Sequence, residues 1–186
     1  MMTQSINTAL ERAFFIEEGL REIFGNASKT LSTNEVNSSL PQLLAQESSI
    51  YTHGIMETKG LLIRAGRAAV QKWLTRNSSA MGWEEINFRL LPPAVRTKQA
   101  LSSFLTWLKR EYHLEVQLEA LTHCWKIEVR FLEKSASDLA CQFVLGMFQE
   151  LVSWSGGGNF FPARETVCQS EGADCCVFEI DRQPAN

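Results

Sequence analysis

The chain reads as an α+β domain: N-terminal helices packed on an antiparallel four-stranded sheet, with one C-terminal helix between the two hairpins. Three observations predict it. Apolar residues recur at helical spacing through most of the chain up to residue 112. The period then changes to alternation at Leu114, Val116, Leu118 and Ala120, and again at Trp125, Ile127, Val129 and Phe131. A further helical stripe, from Ala140 to Val152, separates these strands from two more runs of strand character. Helices, a strand pair, a helix and a second strand pair imply a sheet covered on one face.

Each element has its own signal. Residues 5 to 24 carry Ile6, Leu10, Ala13, Phe14, Leu20, Ile23 and Phe24 at helical spacing, and Gly25-Asn26 stops them. Residues 25 to 40 are rich in Ser, Thr and Asn and read as a loop. Residues 50 to 75 form a second long stripe through Leu62, Ala65, Ala69, Val70 and Trp73, with Gly60 and Gly66 inside it. Interior glycine costs a helix about 1 kcal/mol relative to Ala. It therefore points to close helix packing or to the wall of a cavity. Trp83 to Leu91 makes a short helix ended by Pro92-Pro93, and Pro93 opens the next, which runs to about Tyr112. The two alternating runs meet in a turn near Thr122. Ser137 or Asp138 caps the helix that reaches about Trp154, Gly156 to Gly158 end it, and strands follow at about 159 to 168 and 174 to 181.

Composition narrows the function classes. A chain of 186 residues fits one domain with an N-terminal extension. An apolar fraction of 45% is ample for one core, and a net charge of −3 with mixed signs gives no electrostatic footprint for nucleic acid. No apolar run is long enough to span a membrane. Residues 1 to 12 carry no secretory pattern. The cysteines number five, with Cys175 and Cys176 adjacent, so reduced thiols or metal are favoured over disulfides. The expected compartment is the cytoplasm.

The densest chemistry lies in the last third: Cys141 on a helix, Glu165 and Cys168 near the end of one strand, Cys176 at the start of the next. Thiolates and a carboxylate converging on one point suit zinc. The alternative reading is that these cysteines are small core hydrophobes, since Cys141 lies on an apolar stripe and Cys176 shares parity with Phe178 and Ile180. No paired C-x-x-C spacing decides between them.

Arg164-Glu165-Thr166-Val167-Cys168, then Gly172, then Cys176-Val177-Phe178-Glu179-Ile180 resembles the closing motif of the 4-vinyl reductase domain family. Cys141 is followed by Gly146 at the spacing seen in the sensor domains of aromatic-responsive bacterial activators, which contain this domain. The resemblance is specific over about residues 136 to 181 and looser from about residue 50. It implies a structural zinc held by Cys141, Glu165, Cys168 and Cys176, with Cys175 as an alternative to Cys176. It also implies a division into 1–49, an N-terminal helix and polar linker for dimerisation, and 50–182, the ligand-binding domain. Trp125, His123, Gly66 and Trp73 are the expected ligand-pocket residues, and the expected partners are a small apolar or tetrapyrrole ligand and a second copy of the chain.

Enzymatic signatures are missing. Ser155-Gly156-Gly157-Gly158 is neither a P-loop nor a dinucleotide fingerprint and reads as a turn. His53, His113 and His123 share no short spacing, and His123 next to Cys124 points to the opposite strand face. A closed four-ligand zinc site is structural rather than catalytic. Three readings stay open: a zinc-stapled small-molecule-binding module for sensing or carrying, an accessory protein of tetrapyrrole or chlorophyll metabolism, and a ligand-free interaction or assembly protein related to vesicle-tethering subunits.

Overall fold

The computed structural model describes residues 15–24, 55–112, 114–131 and 138–185. The remainder of the expected first helix, the polar stretch after it, His53 and His113 lie outside the described residues. The elements in order are α1 (residues 15–24), α2 (Ile55–Asn77), α3 (Ile86–Arg89), α4 (Pro93–Tyr112), β1 (Glu115–Ala120), β2 (Cys124–Arg130), α5 (Asp138–Ser155), β3 (Ala163–Val167) and β4 (Cys176–Asp181). The sheet is antiparallel with strand order β1-β2-β4-β3. The predicted α+β class and the single helix between the two hairpins are both observed. The helix expected over Trp83 to Leu91 shrinks to α3, because turns occupy the residues before it.

Helix α5 is the centre of the molecule. Ala140, Cys141, Phe143, Val144, Met147, Phe148, Leu151 and Val152 are all buried, which is the pattern of a helix covered on more than one side. It packs against α2 and α4 and against β3 and β4 of the sheet, where Phe148 meets Phe178 edge-on at 5.5 Å. Two glycines set the α2–α5 approach. A Cβ on Gly66 would lie 2.0 Å from the Phe143 carbonyl oxygen, and one on Gly146 would lie 2.0 Å from that of Ile63. Gly66 is therefore a helix-packing glycine. Gly60, in the same helix, has no atom of another described segment within 4 Å of where its Cβ would be and takes no part in the contact.

The inner face of the sheet carries Val116, Leu118, Trp125, Ile127, Val129, Cys176, Phe178 and Ile180, placed in rows by the register. The outer face carries charge pairs: Lys126 with Glu128, Arg130 with Glu115, and Arg164 with Glu179 and Asp181. Helix α1 lies on α2, with Phe15, Ile16 and Leu20 buried and Gly19 against Ala65 and Ala69. The apolar face of this stretch, part of the expected dimerisation segment, is thus covered within one chain.

Candidate metal centre

A regular strand points residues i and i+3 to opposite faces. Glu165 and Cys168 nevertheless meet. Glu165 pairs with Phe178 on the inner face, but Val167 pairs with Val177, so one extra residue is accommodated on β3 between them. This β-bulge re-phases the strand and returns Cys168 to the inner side, beside Cys176. A tight 3₁₀ turn, Gln169–Glu171, then reverses the chain. It ends on Gly172, whose φ of 98° is the left-handed conformation that glycine adopts without strain.

Helix α5 completes the cluster from above. The Cys141 Sγ lies 3.2 Å from Cys176 Sγ and 3.7 Å from Cys168 Sγ. With a carboxylate oxygen of Glu165, the four donor atoms all fall within 4.8 Å of one another. In a tetrahedral zinc site with Zn–S near 2.3 Å, two sulfurs sit about 3.8 Å apart. The cluster is thus the size of a metal coordination shell, and it can hold a metal ion. Cys175, adjacent to Cys176, lies instead beside Glu128 and Arg130 on the outer face.

Neighbouring groups orient the donors. Gln142 Nε2 reaches Glu165 Oε2 at 3.4 Å, the Gln169 backbone N–H donates to Cys176 Sγ, and Cys168 Sγ lies 2.9 Å from Ser170 Oγ. The Gln169 side chain ties the turn to the end of β2 through both Phe131 N–H and Phe131 C=O. Such partners fix ligand geometry in metal sites. The thiol equilibria reflect this crowding. Cys141 is pushed far up, first by its hydrogen bond to Cys176, then by burial and the nearby Glu165 carboxylate. Burial is the main cause raising Cys168. Cys176 is lowered because it accepts from Cys141. Three thiolates and a carboxylate so close together need a compensating positive charge.

The residues expected around a ligand do not converge on one described cavity. Trp125 is buried on the sheet with the Arg182 guanidinium 4.7 Å from its ring centre. Trp73 is buried in a cluster with Trp83, Phe104 and Trp107. Gly66 lies in the α2–α5 contact, and His123 is exposed at the β1–β2 turn. Sequence reasoning missed a different cavity, at the C-terminal end of α5. It measures about 530 Å³ and includes Trp83, Phe88, Arg89, Arg96 and Trp154 in its lining. The available signal was Trp154, a large aromatic at the end of an apolar stripe and 36% exposed.

No protein-family model and no curated protein matches the chain. Solved structures do match, and those described are H-NOX domains. One H-NOX protein from S. oneidensis, in the Fe(II)NO ligation state, aligns with a TM-score of 0.52 at 12% identity over 86% of this chain and 79% of its own. A mutant of an S. oneidensis H-NOX protein in the Fe(II) state aligns with a TM-score of 0.56 at 10% identity, over 94% and 96%. The H-NOX domain from Shewanella oneidensis in the Fe(II)CO state aligns at 0.50 and 12%, over 96% and 97%. At these identities the likeness is one of fold.

Proposed function

We propose that the chain is a small-molecule-binding module, for sensing or carrying, whose C-terminal hairpin is stapled to α5 by one structural zinc ion. The observation that carries the zinc is the convergence of Cys141, Glu165, Cys168 and Cys176 within 4.8 Å. Three sulfurs and one carboxylate oxygen suit zinc in donor type and number. Four protein donors leave no open position for substrate or water, so the ion stabilises the fold and performs no chemistry. The same donor set supports membership of the 4-vinyl reductase domain family. Ligand binding is supported by the shared fold with H-NOX proteins described in NO- and CO-ligated states.

H-NOX domains are also described with heme. The described residues here do not fit that group. Their one histidine, His123, is exposed on a turn. The cysteine cluster spans less than 5 Å, too small for a macrocycle, and the described lining residues of the 530 Å³ cavity include no His, Cys, Met or Tyr to serve as an axial ligand. The described cavity instead offers apolar and polar contacts to a small organic molecule.

Elemental analysis of protein purified under reducing conditions without chelator tests the metal. One zinc per chain is expected, with an X-ray absorption spectrum of sulfur near 2.3 Å and oxygen near 2.0–2.2 Å. Metal-free protein that melts at the same temperature after zinc is added would overturn the reading.

A further inference from the structure

We infer that the cavity at the C-terminal end of α5 binds a small planar aromatic carboxylate. The inference deepens the ligand-binding reading and rests on it. Four segments build the cavity: the turns after α2, α3, the start of α4 and the end of α5. Its apolar part is aromatic. Trp83 and Phe88 stack at 5.8 Å with an interplanar angle of 18°, Phe88 and Trp154 at 6.2 Å and 23°, and Trp83 meets Trp154 at 5.4 Å. Trp83 and Phe88 are buried against one another, and Trp154, 36% exposed, presents the ring on which a planar ligand can stack.

Two guanidiniums stand beside those rings. Arg96 is fixed in place, with Nε donating to the Ser155 carbonyl and Nη1 to the Arg89 carbonyl. Its Nη2 faces Gly157, where even an added Cβ would stay 3.8 Å away. Neither Arg96 nor Arg89 has a carboxylate partner among the described residues. The acid that lines the same cavity, Glu84, accepts instead from Ser78 Oγ at 2.7 Å. A guanidinium held by backbone carbonyls, with no carboxylate partner among the described residues, is pre-organised to receive a carboxylate through its remaining nitrogen. A volume of about 530 Å³ falls in the range of small-molecule sites.

The surroundings fit the same use. Ile86, Leu90, Val95, Trp154 and Phe160 are exposed, and they lie on or next to the segments that form the cavity. Trp83 also touches Trp73 at 5.8 Å, so the cavity floor continues into the buried aromatic cluster. Ligand contact there would be felt by the core.

Calorimetric titration with 1-naphthoate, and with 1-naphthalenemethanol as its neutral counterpart, tests the proposal. Naphthoate is expected to bind with a Kd below about 1 mM and the alcohol about tenfold more weakly, the worth of a charge-assisted contact. Arg89→Gln, which removes no side-chain hydrogen bond among the described residues, and Trp154→Ala should each weaken naphthoate severalfold while melting close to wild type. Naphthoate binding that both variants leave unchanged would overturn the cavity assignment and leave the ligand-binding reading standing. No binding of either probe, nor of a wider panel of apolar and aromatic compounds, would overturn both. A dimer that Trp154→Ala dissociates, without naphthoate binding, would mean that a second copy covers the cavity and would also overturn it.

Discussion

At its N-terminal end α5 places Cys141 in a buried cluster whose every donor faces another donor. At its C-terminal end, about 20 Å along the same helix at 1.5 Å per residue, it places Trp154 and Ser155 in an open cavity. One end is closed and crowded. The other is open, aromatic and supplied with cations that have no carboxylate partner among the described residues. A closed donor set can add stability but leaves no room for a substrate, whereas an open cavity has room and adds little stability. Between them, Gly66 and Gly146 press α5 against α2 backbone to backbone, so the helix is a stiff bar joining two sites of opposite kind.

The largest effect is expected at the closed end. Cys141→Ser, or removal of metal by chelator, leaves buried ligands uncompensated at a cost of about 3–5 kcal/mol. For a domain of this size that corresponds to a drop in melting temperature of about 10–15 °C. Thermal melting with and without chelator measures it. Equal melting of the variant and the wild type would show that the closed end contributes no staple.

The middle of the bar comes next. Gly146→Ala forces a methyl group into the Ile63 carbonyl, and overpacking of this kind costs about 1–3 kcal/mol. Gly60→Ala, where no other described segment lies within 4 Å, should instead stabilise by up to about 1 kcal/mol through helix propensity. Urea midpoints of the two variants should move in opposite directions. A shift in the same direction would mean that α2 and α5 can slide apart cheaply.

Gly60 and Gly66, on the same helix, also show what the sequence could and could not convey. Both interrupt one helical stripe, and periodicity treats them alike; only the position of α5 separates them. The strands were legible because Val116, Leu118, Ile127 and Val129 alternate against a solvated face. The pairing of Glu165 with Cys168 was not legible from period, since a three-residue step in a strand points them apart, and the bulge that corrects this leaves no periodic trace. Only the family resemblance put them together. The cavity escaped notice for a different reason. Trp83, Arg89, Arg96 and Trp154 come from separate segments, and each looks ordinary on its own.

A smaller effect separates the metal-loaded and metal-free forms by pH. With metal bound, the ligand thiols are held as thiolates below their usual range, so their contribution is present at neutral pH and lost as pH falls. In the metal-free form Cys141 and Cys168 are raised instead. Their contribution is complete below the ordinary thiol value of about 8.5 and is lost as pH climbs through and beyond it. Cys176, lowered, acts in the opposite sense, but it is one group against two. Melting temperature measured from pH 5 to pH 10 should therefore fall toward acid with metal and toward alkali after chelation. Profiles of the same shape in both forms would mean that the cluster holds no ion under either condition.

The smallest effect on stability is expected at the open end, and it is the sharpest test of the contrast. Trp154 is 36% exposed and, among the described residues, its ring contacts are with Trp83 and Phe88, so Trp154→Ala should cost about 1 kcal/mol or less. Leu151, one turn earlier on the same helix, is fully buried, and Leu151→Ala should cost about 2–5 kcal/mol. The larger side chain should thus be the cheaper to lose, because the cavity already gives its ring open space on one side. Denaturant midpoints of the two variants compare them directly. If truncating Trp154 costs as much as truncating Leu151, its ring belongs to the core, and the open end of α5 is no more a site than the packing around it.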